Sequence, residues 1–143
     1  FGTVRTNLLA QGAKLLFDSS KIPGEIVDVL VTRQEMIDRA PAALTAILEG
    51  WFQALAYMQK SPQDAAEKIA PRQGLSPANF LAALKGLELP DLAANRRLLA
   101  AGNPQLLPAA RKLEEVMVQR KLLQRSLNLN GLFTDQLLPT ASH

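Results

Sequence analysis

Two residue types that often carry out enzymatic chemistry, cysteine and histidine, are nearly absent from this sequence. It contains no cysteine, and its single histidine is the last residue, His143. A cysteine nucleophile, a thiolate metal site and a disulfide framework are therefore excluded within the sequence. A chain end is usually mobile, so His143 is a poor candidate for a catalytic triad or a zinc ligand. We expect no catalysis, no metal and no cofactor.

Candidates for polar ligand binding lie in one stretch, FDSSKIPGEIVDVLV, which spans residues 17–31. Its turn-forming residues are Ser19, Ser20, Pro23, Gly24 and Glu25. Hydroxyl and backbone N–H groups in such a turn can hydrogen-bond an oxyanion or another polar ligand. The same residue types occur in most turns, so a purely structural turn is the alternative interpretation. Glu25 would repel an anionic ligand.

The run IVDVLV, residues 26–31, is the one smooth β-branched run in the chain and predicts a strand. Asp28 stands in its middle, where a buried carboxylate needs a partner. Asp28 either contacts a cationic or hydrogen-bonding solute or holds a neighbouring backbone N–H or basic side chain. Residues 13–17, AKLLF, form a second candidate strand. Two strands alone are marginal in water, so they need further strands beside them.

From Thr32 onward the pattern is helical. Thr32 and Glu35 have the spacing of a capping box at a helix start. Pro41 begins a longer helix whose apolar residues recur every three or four positions, which predicts a stripe that faces a core. The stripe comprises Leu44, Ile47, Leu48, Trp51, Phe52, Leu55 and Met58. We therefore expect Trp51 and Phe52 to be core residues rather than an aromatic ligand box.

Two serine–proline pairs predict further helix starts, with serine as the N-cap and proline in the first turn. They are Ser61-Pro62 and Ser76-Pro77. Two more helices follow, one through residues 95–97 and one after Pro108. The sequence therefore predicts one or two strands followed by five or six helices.

The basic residues are scattered rather than gathered on one face. The formal net charge is +3 and the pI is about 9.5. Nucleic-acid binding needs a concentrated basic surface, so we do not expect it. The run Asn95-Arg96-Arg97 either grips an anion or braces a helix, and we favour bracing. No run of apolar residues approaches the roughly 18–20 of a membrane span.

Taken in order, these signals resemble a known family. The series is GAKLLFDSSKIPGEIVDVLV, EGWFQALAYMQKSPQDAAEKIA, GLSPANFLAALKGLELPDLAANRRLL and LNLNGLF, from about residue 12 to about residue 138. It resembles the C-terminal half of the nitrate/sulfonate/taurine family of periplasmic solute-binding proteins, the capture components of ABC importers. Departing from that family, the opening FGTVRTNLL lacks the tryptophan and glutamate of its Trp-Glu-Pro-like segment.

The resemblance implies an α/β, type II two-lobed binding fold, of which this chain is a helix-rich C-terminal part. Residues 1–25 would end the second lobe and turn into the hinge. Residues 26–31 would be the hinge or crossover strand, and residues 32–143 the helices that complete the first lobe. Closure of the cleft would be a hinge motion. The candidate cleft-edge residues are then Ser19, Ser20, Pro23, Gly24, Glu25 and Asp28.

The implied function is capture of a small polar solute, such as a sulfonate or nitrate, outside the cytoplasm, without catalysis. The implied partners are an ABC permease and either a missing N-terminal half or a second copy, in a swapped dimer. We expect a chain that starts at Phe1 to be a processed or partial product. One alternative is a periplasmic sensory input domain. Another is an enzyme resembling pyrimidine-precursor synthases, ranked lower because that chemistry uses histidine and cysteine.

Overall fold

The elements between residues 34 and 119 are helices, and all but one of them are α-helices. A computed structural model describes residues 4, 5, 8, 9 and 11–140, so His143 lies outside the described residues. Within residues 11–140, the α-helices are α1 (Gln34–Arg39), α2 (Pro41–Lys60), α3 (Pro62–Ile69), α4 (Pro77–Leu84), α5 (Leu92–Leu99) and α6 (Leu107–Gln119). Short 3-10 helices form at Ser19–Lys21 and Ala70–Gln73. The prediction of a helix-rich chain with five or six helices is confirmed.

The predicted strands do not form. None of the residues that the structure describes is in a β-strand, so the strands predicted for residues 13–17 and 26–31 are wrong. Within the described ranges, no backbone hydrogen bond uses an N–H or C=O group of residues 26–31. A strand is stable only when neighbouring strands satisfy its backbone and cover one face, and nothing in the described chain supplies them. The α/β part of the expected fold class is therefore not observed.

The helix starts follow the serine–proline signals only in part. Ser76 caps α4, because its hydroxyl oxygen accepts a hydrogen bond from the Asn79 N–H at 3.2 Å. Ser61 precedes α3 but its side chain makes no capping hydrogen bond. The capping box predicted at Thr32 is wrong: α1 begins at Gln34, after an extended Arg33.

The chain divides into two units. The first comprises Phe1–Asp18 and Gly50–Asp91, and the second comprises Ser19–Glu49 and Leu92–His143. In the first unit, α3, the 3-10 helix that follows it and α4 pack around Phe80, which is 6% exposed, and the fully buried Ala66 and Ala70. Partly buried side chains surround this cluster: Met58, Ile69, Leu75, Leu81 and Leu84. The core is small, since most of its buried members are alanines.

The apolar stripe of α2 is only partly covered. Leu55 is buried, but Trp51 remains 51% exposed and Ile47 58% exposed. The prediction that Trp51 is a core residue is therefore wrong. Met58, at the end of the stripe, packs against the buried cluster of the first unit, whereas Ile47 and Trp51 are not part of that cluster.

In the second unit, polar contacts hold the chain that follows α6. The Arg96 guanidinium on α5 donates to the carbonyl oxygen of Pro139, a buried residue. The backbone N–H of Leu127 donates to the Glu114 carboxylate on α6 at 2.6 Å. These contacts tie residues 120–140 to two helices although the segment has no regular secondary structure.

Candidate functional site

The candidate cleft-edge residues Ser19 to Glu25 form two consecutive turns. The Ile22 N–H donates to the Ser19 carbonyl at 3.0 Å, and the Glu25 N–H donates to the Ile22 carbonyl at 3.2 Å. Gly24 has φ +77°, in the left-handed region. Proline at the second position and a left-handed glycine at the third are the signature of a type II turn. The turn predicted at Pro23-Gly24 is therefore confirmed.

The carboxylate of Glu25 is paired with a lysine from far along the chain. The Lys112 ammonium on α6 donates to a Glu25 oxygen at 2.5 Å. Both side chains stay partly exposed, at 64% for Lys112 and 37% for Glu25. Such a pair contributes roughly 0–1 kcal/mol to stability. Its larger effect is on charge: the repulsion of an anion expected from Glu25 is offset by the ammonium beside it.

Asp28 lies outside the two turns, in the irregular chain that follows them. The residue is exposed. Among the described residues, no hydrogen bond or ion pair to its carboxylate is found. The structural role expected for Asp28, holding a backbone N–H or a basic side chain, is thus not observed in this part of the chain. Its carboxylate is available to a solute or to another chain.

The structure also forms a polar cluster that the sequence interpretation missed. It joins Tyr57 on α2 to Asp64 and Lys68 on α3. The Tyr57 hydroxyl donates to the Asp64 carboxylate, and the Lys68 ammonium donates to the same carboxylate at 2.5 Å. The ammonium also donates to the Tyr57 oxygen at 2.8 Å and lies 5.1 Å from the centre of its ring. The four-residue spacing of Asp64 and Lys68 within one helix is the sequence signal that could have predicted this ion pair.

The electrostatics of this cluster favour a structural role over proton transfer. The hydrogen bond from Lys68, followed by that from Tyr57, holds the pKa of Asp64 below its ordinary value. The hydrogen bond to Asp64, followed by that to Tyr57, raises the pKa of Lys68 above its ordinary value. At neutral pH the pair is therefore locked as carboxylate and ammonium. A general acid or base needs a pKa near the working pH, which neither group has.

Comparisons with known proteins give no family. No family model, no curated protein and no solved structure matches the chain. Within the described residues, no group of three or more acidic or histidine side chains is placed to hold a metal ion. None of the helices formed by those residues has both the length and the apolar character to cross a membrane. The function must therefore be argued from the residues themselves.

The turns offer hydrogen-bonding groups rather than a reactive centre. Ser19, Ser20 and Glu25 are exposed and lie within a few residues of one another. The Ser19 carbonyl oxygen and the Glu25 N–H are already used in the hydrogen bonds of the turns. The Arg96 guanidinium, for which bracing was favoured over an anion grip, donates to the Pro139 carbonyl.

Proposed function

We propose that the chain is part of the solute-binding component of an ABC importer, which captures a small polar solute outside the cytoplasm. The observation that carries the proposal is the order of sequence signals from residue 12 to residue 138. The helical part of that order is compatible with the structure, because helices begin at Pro41, Pro62 and Pro77, and a type II turn precedes residues 26–31. Solute capture requires no catalytic residue.

The run at residues 26–31 supports the proposal in a different way. In the proposed protein it is the strand that crosses from one lobe to the other, and it pairs there with strands of a sheet. Its apolar side chains are 43–79% exposed in the chain described above. A crossover strand without its neighbouring strands is expected to have exposed β-branched side chains and unpaired backbone N–H and C=O groups.

The turn before this strand would form one edge of the cleft. Ser19 and Ser20 supply hydroxyl groups, and Pro23 and Gly24 shape the backbone. Lys112 offsets the charge of Glu25, so an anionic solute such as a sulfonate or nitrate is not rejected at this edge. Asp28 would suit a solute that carries a positive charge or a hydrogen-bond donor beside any anionic group, and would disfavour nitrate.

The test is a thermal-shift screen of the complete gene product against nitrate, a sulfonate, bicarbonate, an amine and a pyrimidine. A true ligand at about one hundred times its Kd stabilises the folded protein by about 2.7 kcal/mol, which raises Tm by several degrees. Asp28→Asn should reduce that rise, whereas Asp38→Asn on α1 should leave it unchanged. If no solute raises Tm, or if both variants reduce the rise equally, the proposal fails.

A further inference from the structure

Asn130 and Gly131 form the tip of an exposed turn in the chain that follows α6. The Leu132 N–H donates to the Leu129 carbonyl at 3.2 Å, which closes the turn. Gly131 has φ +72°, a left-handed conformation that glycine adopts readily. Both residues at the tip are exposed to solvent. Asn130 is also the only asparagine in the sequence that is followed by glycine.

The reactive groups at this tip are not held by the rest of the described chain. Within the described ranges, neither the Asn130 side-chain amide nor the Gly131 N–H takes part in a hydrogen bond. Apart from the adjacent residues, no described atom lies within 4 Å of the position that a Cβ on Gly131 would occupy. The side chain of Asn130 and the backbone nitrogen of Gly131 are therefore free to approach each other.

We propose that Asn130 is a site of spontaneous deamidation, through a succinimide that it forms with Gly131. The Gly131 backbone nitrogen attacks the Asn130 Cγ and loses its proton, and a new N–Cγ bond forms. The side-chain amide group leaves as ammonia, which closes the succinimide ring. Water then adds to one of the two ring carbonyls, and the bond between that carbonyl carbon and the ring nitrogen breaks. The reaction consumes water and needs no enzyme, oxidant or reductant.

The residue after the asparagine controls this reaction, because its backbone nitrogen is the nucleophile. A side chain on that residue would crowd the nitrogen and restrict rotation of the backbone, and glycine does neither. Asn128 provides the contrast within the same segment. It is followed by Leu129, and its side-chain oxygen already accepts a hydrogen bond from the Asn130 N–H at 3.0 Å. We therefore expect Asn128 to remain intact while Asn130 reacts.

The two possible ring openings give different products. Opening at the side-chain carbonyl gives aspartate, and opening at the backbone carbonyl gives isoaspartate, in which the main chain runs through the side-chain carbons. Either product adds a carboxylate at neutral pH, which lowers the formal net charge of +3 by one. Isoaspartate also lengthens the backbone inside the turn, so the hydrogen bond between the Leu132 N–H and the Leu129 carbonyl should weaken. This inference does not rest on solute capture.

The test is incubation of the full chain in mildly alkaline buffer made with heavy-oxygen water, followed by trypsin digestion in ordinary water and mass spectrometry. No lysine or arginine follows Arg125, so one tryptic peptide carries both Asn128 and Asn130. Asn130 should convert to two acids of equal mass, aspartate and isoaspartate, which chromatography separates and which both carry one labelled oxygen. No conversion at Asn130, equal conversion at both asparagines, or aspartate without isoaspartate would overturn the proposal.

Two variants and an unfolded reference complete the experiment. Asn130→Gln keeps an exposed amide beside Gly131 but would have to close a larger ring, so it should stay intact. Gly131→Ala should lose most of the conversion, because its methyl group crowds the attacking nitrogen. The folded chain should convert at a rate comparable to that of the chain unfolded in urea, since the turn leaves the reacting groups free. A folded chain that stays intact while the unfolded chain converts, or an Asn130→Gln variant that reacts as fast as the unmodified chain, contradicts the assignment.

Discussion

Phe80 is the side chain on which the first unit depends most. It is 6% exposed and packs against the fully buried Ala66 and Ala70. A buried phenylalanine removes about 150–250 Å² from water, which at about 25 cal/mol per Å² amounts to roughly 4–6 kcal/mol. Alanine retains part of that area but leaves a cavity, so Phe80→Ala should cost about 3–5 kcal/mol. Whole domains are stable by only about 5–15 kcal/mol.

The assay is urea denaturation followed by the fluorescence of Trp51, the only tryptophan in the chain, which lies in the first unit. With an m-value of about 1–3 kcal/mol per M, Phe80→Ala should lower the midpoint by about 2 M. If this variant is unfolded in water, Ile69→Val provides a milder perturbation, expected to cost about 0.5–1.5 kcal/mol.

Phe17→Ala is the matched control, because it removes the same atoms from a side chain that is 61% exposed. It should change stability by no more than about 0.5 kcal/mol. Equal losses in Phe80→Ala and Phe17→Ala would show that the cluster around Phe80 does not form the core. A Phe80→Ala loss below about 1 kcal/mol would refute the burial argument in the same way.

Three further predictions concern local features. The Lys68 ammonium, through its hydrogen bond, holds the pKa of Asp64 below its ordinary value. The stability that the Asp64 carboxylate contributes is therefore present above about pH 4 and is lost as the pH falls through the folded-state pKa. The Tm difference between Asp64→Asn and the unmodified protein should therefore disappear in acid. Gly50 lies exposed within α2 with open space at its Cβ position, so Gly50→Ala should stabilise by about 0.5–1 kcal/mol, whereas Gly24→Ala, at φ +77°, should destabilise. Ser76→Ala should cost about 0.5–2 kcal/mol in urea denaturation, whereas Ser61→Ala, which removes no capping bond, should be nearly neutral.

Features that depend only on residues a few positions apart were predictable from the sequence. The type II turn at Pro23-Gly24 and the start of α4 at Ser76 depend on φ preferences and on hydroxyl groups next to the backbone they contact. The capping box failed although it is also local. Glu35 accepts a hydrogen bond from Arg39 at 2.8 Å instead of reaching back to the helix start. An ion pair within the helix competed for the same carboxylate.

Contacts between residues far apart in the chain could not be predicted from sequence patterns. Glu25 meets Lys112, and Arg96 meets the carbonyl of Pro139. Neither pair has a spacing that signals contact, because both depend on how helices and tail pack. The exposed Trp51 shows the same limit: a helical stripe reveals which face is apolar, but the surface available to cover it decides how much is buried.

The strand prediction at residues 26–31 failed for a related physical reason. Alternation and β-branching describe how a segment would behave beside another strand, whereas a helix closes its hydrogen bonds within its own residues. A missing partner therefore prevents a strand and leaves a helix intact, which is the difference between residues 26–31 and α1 to α6.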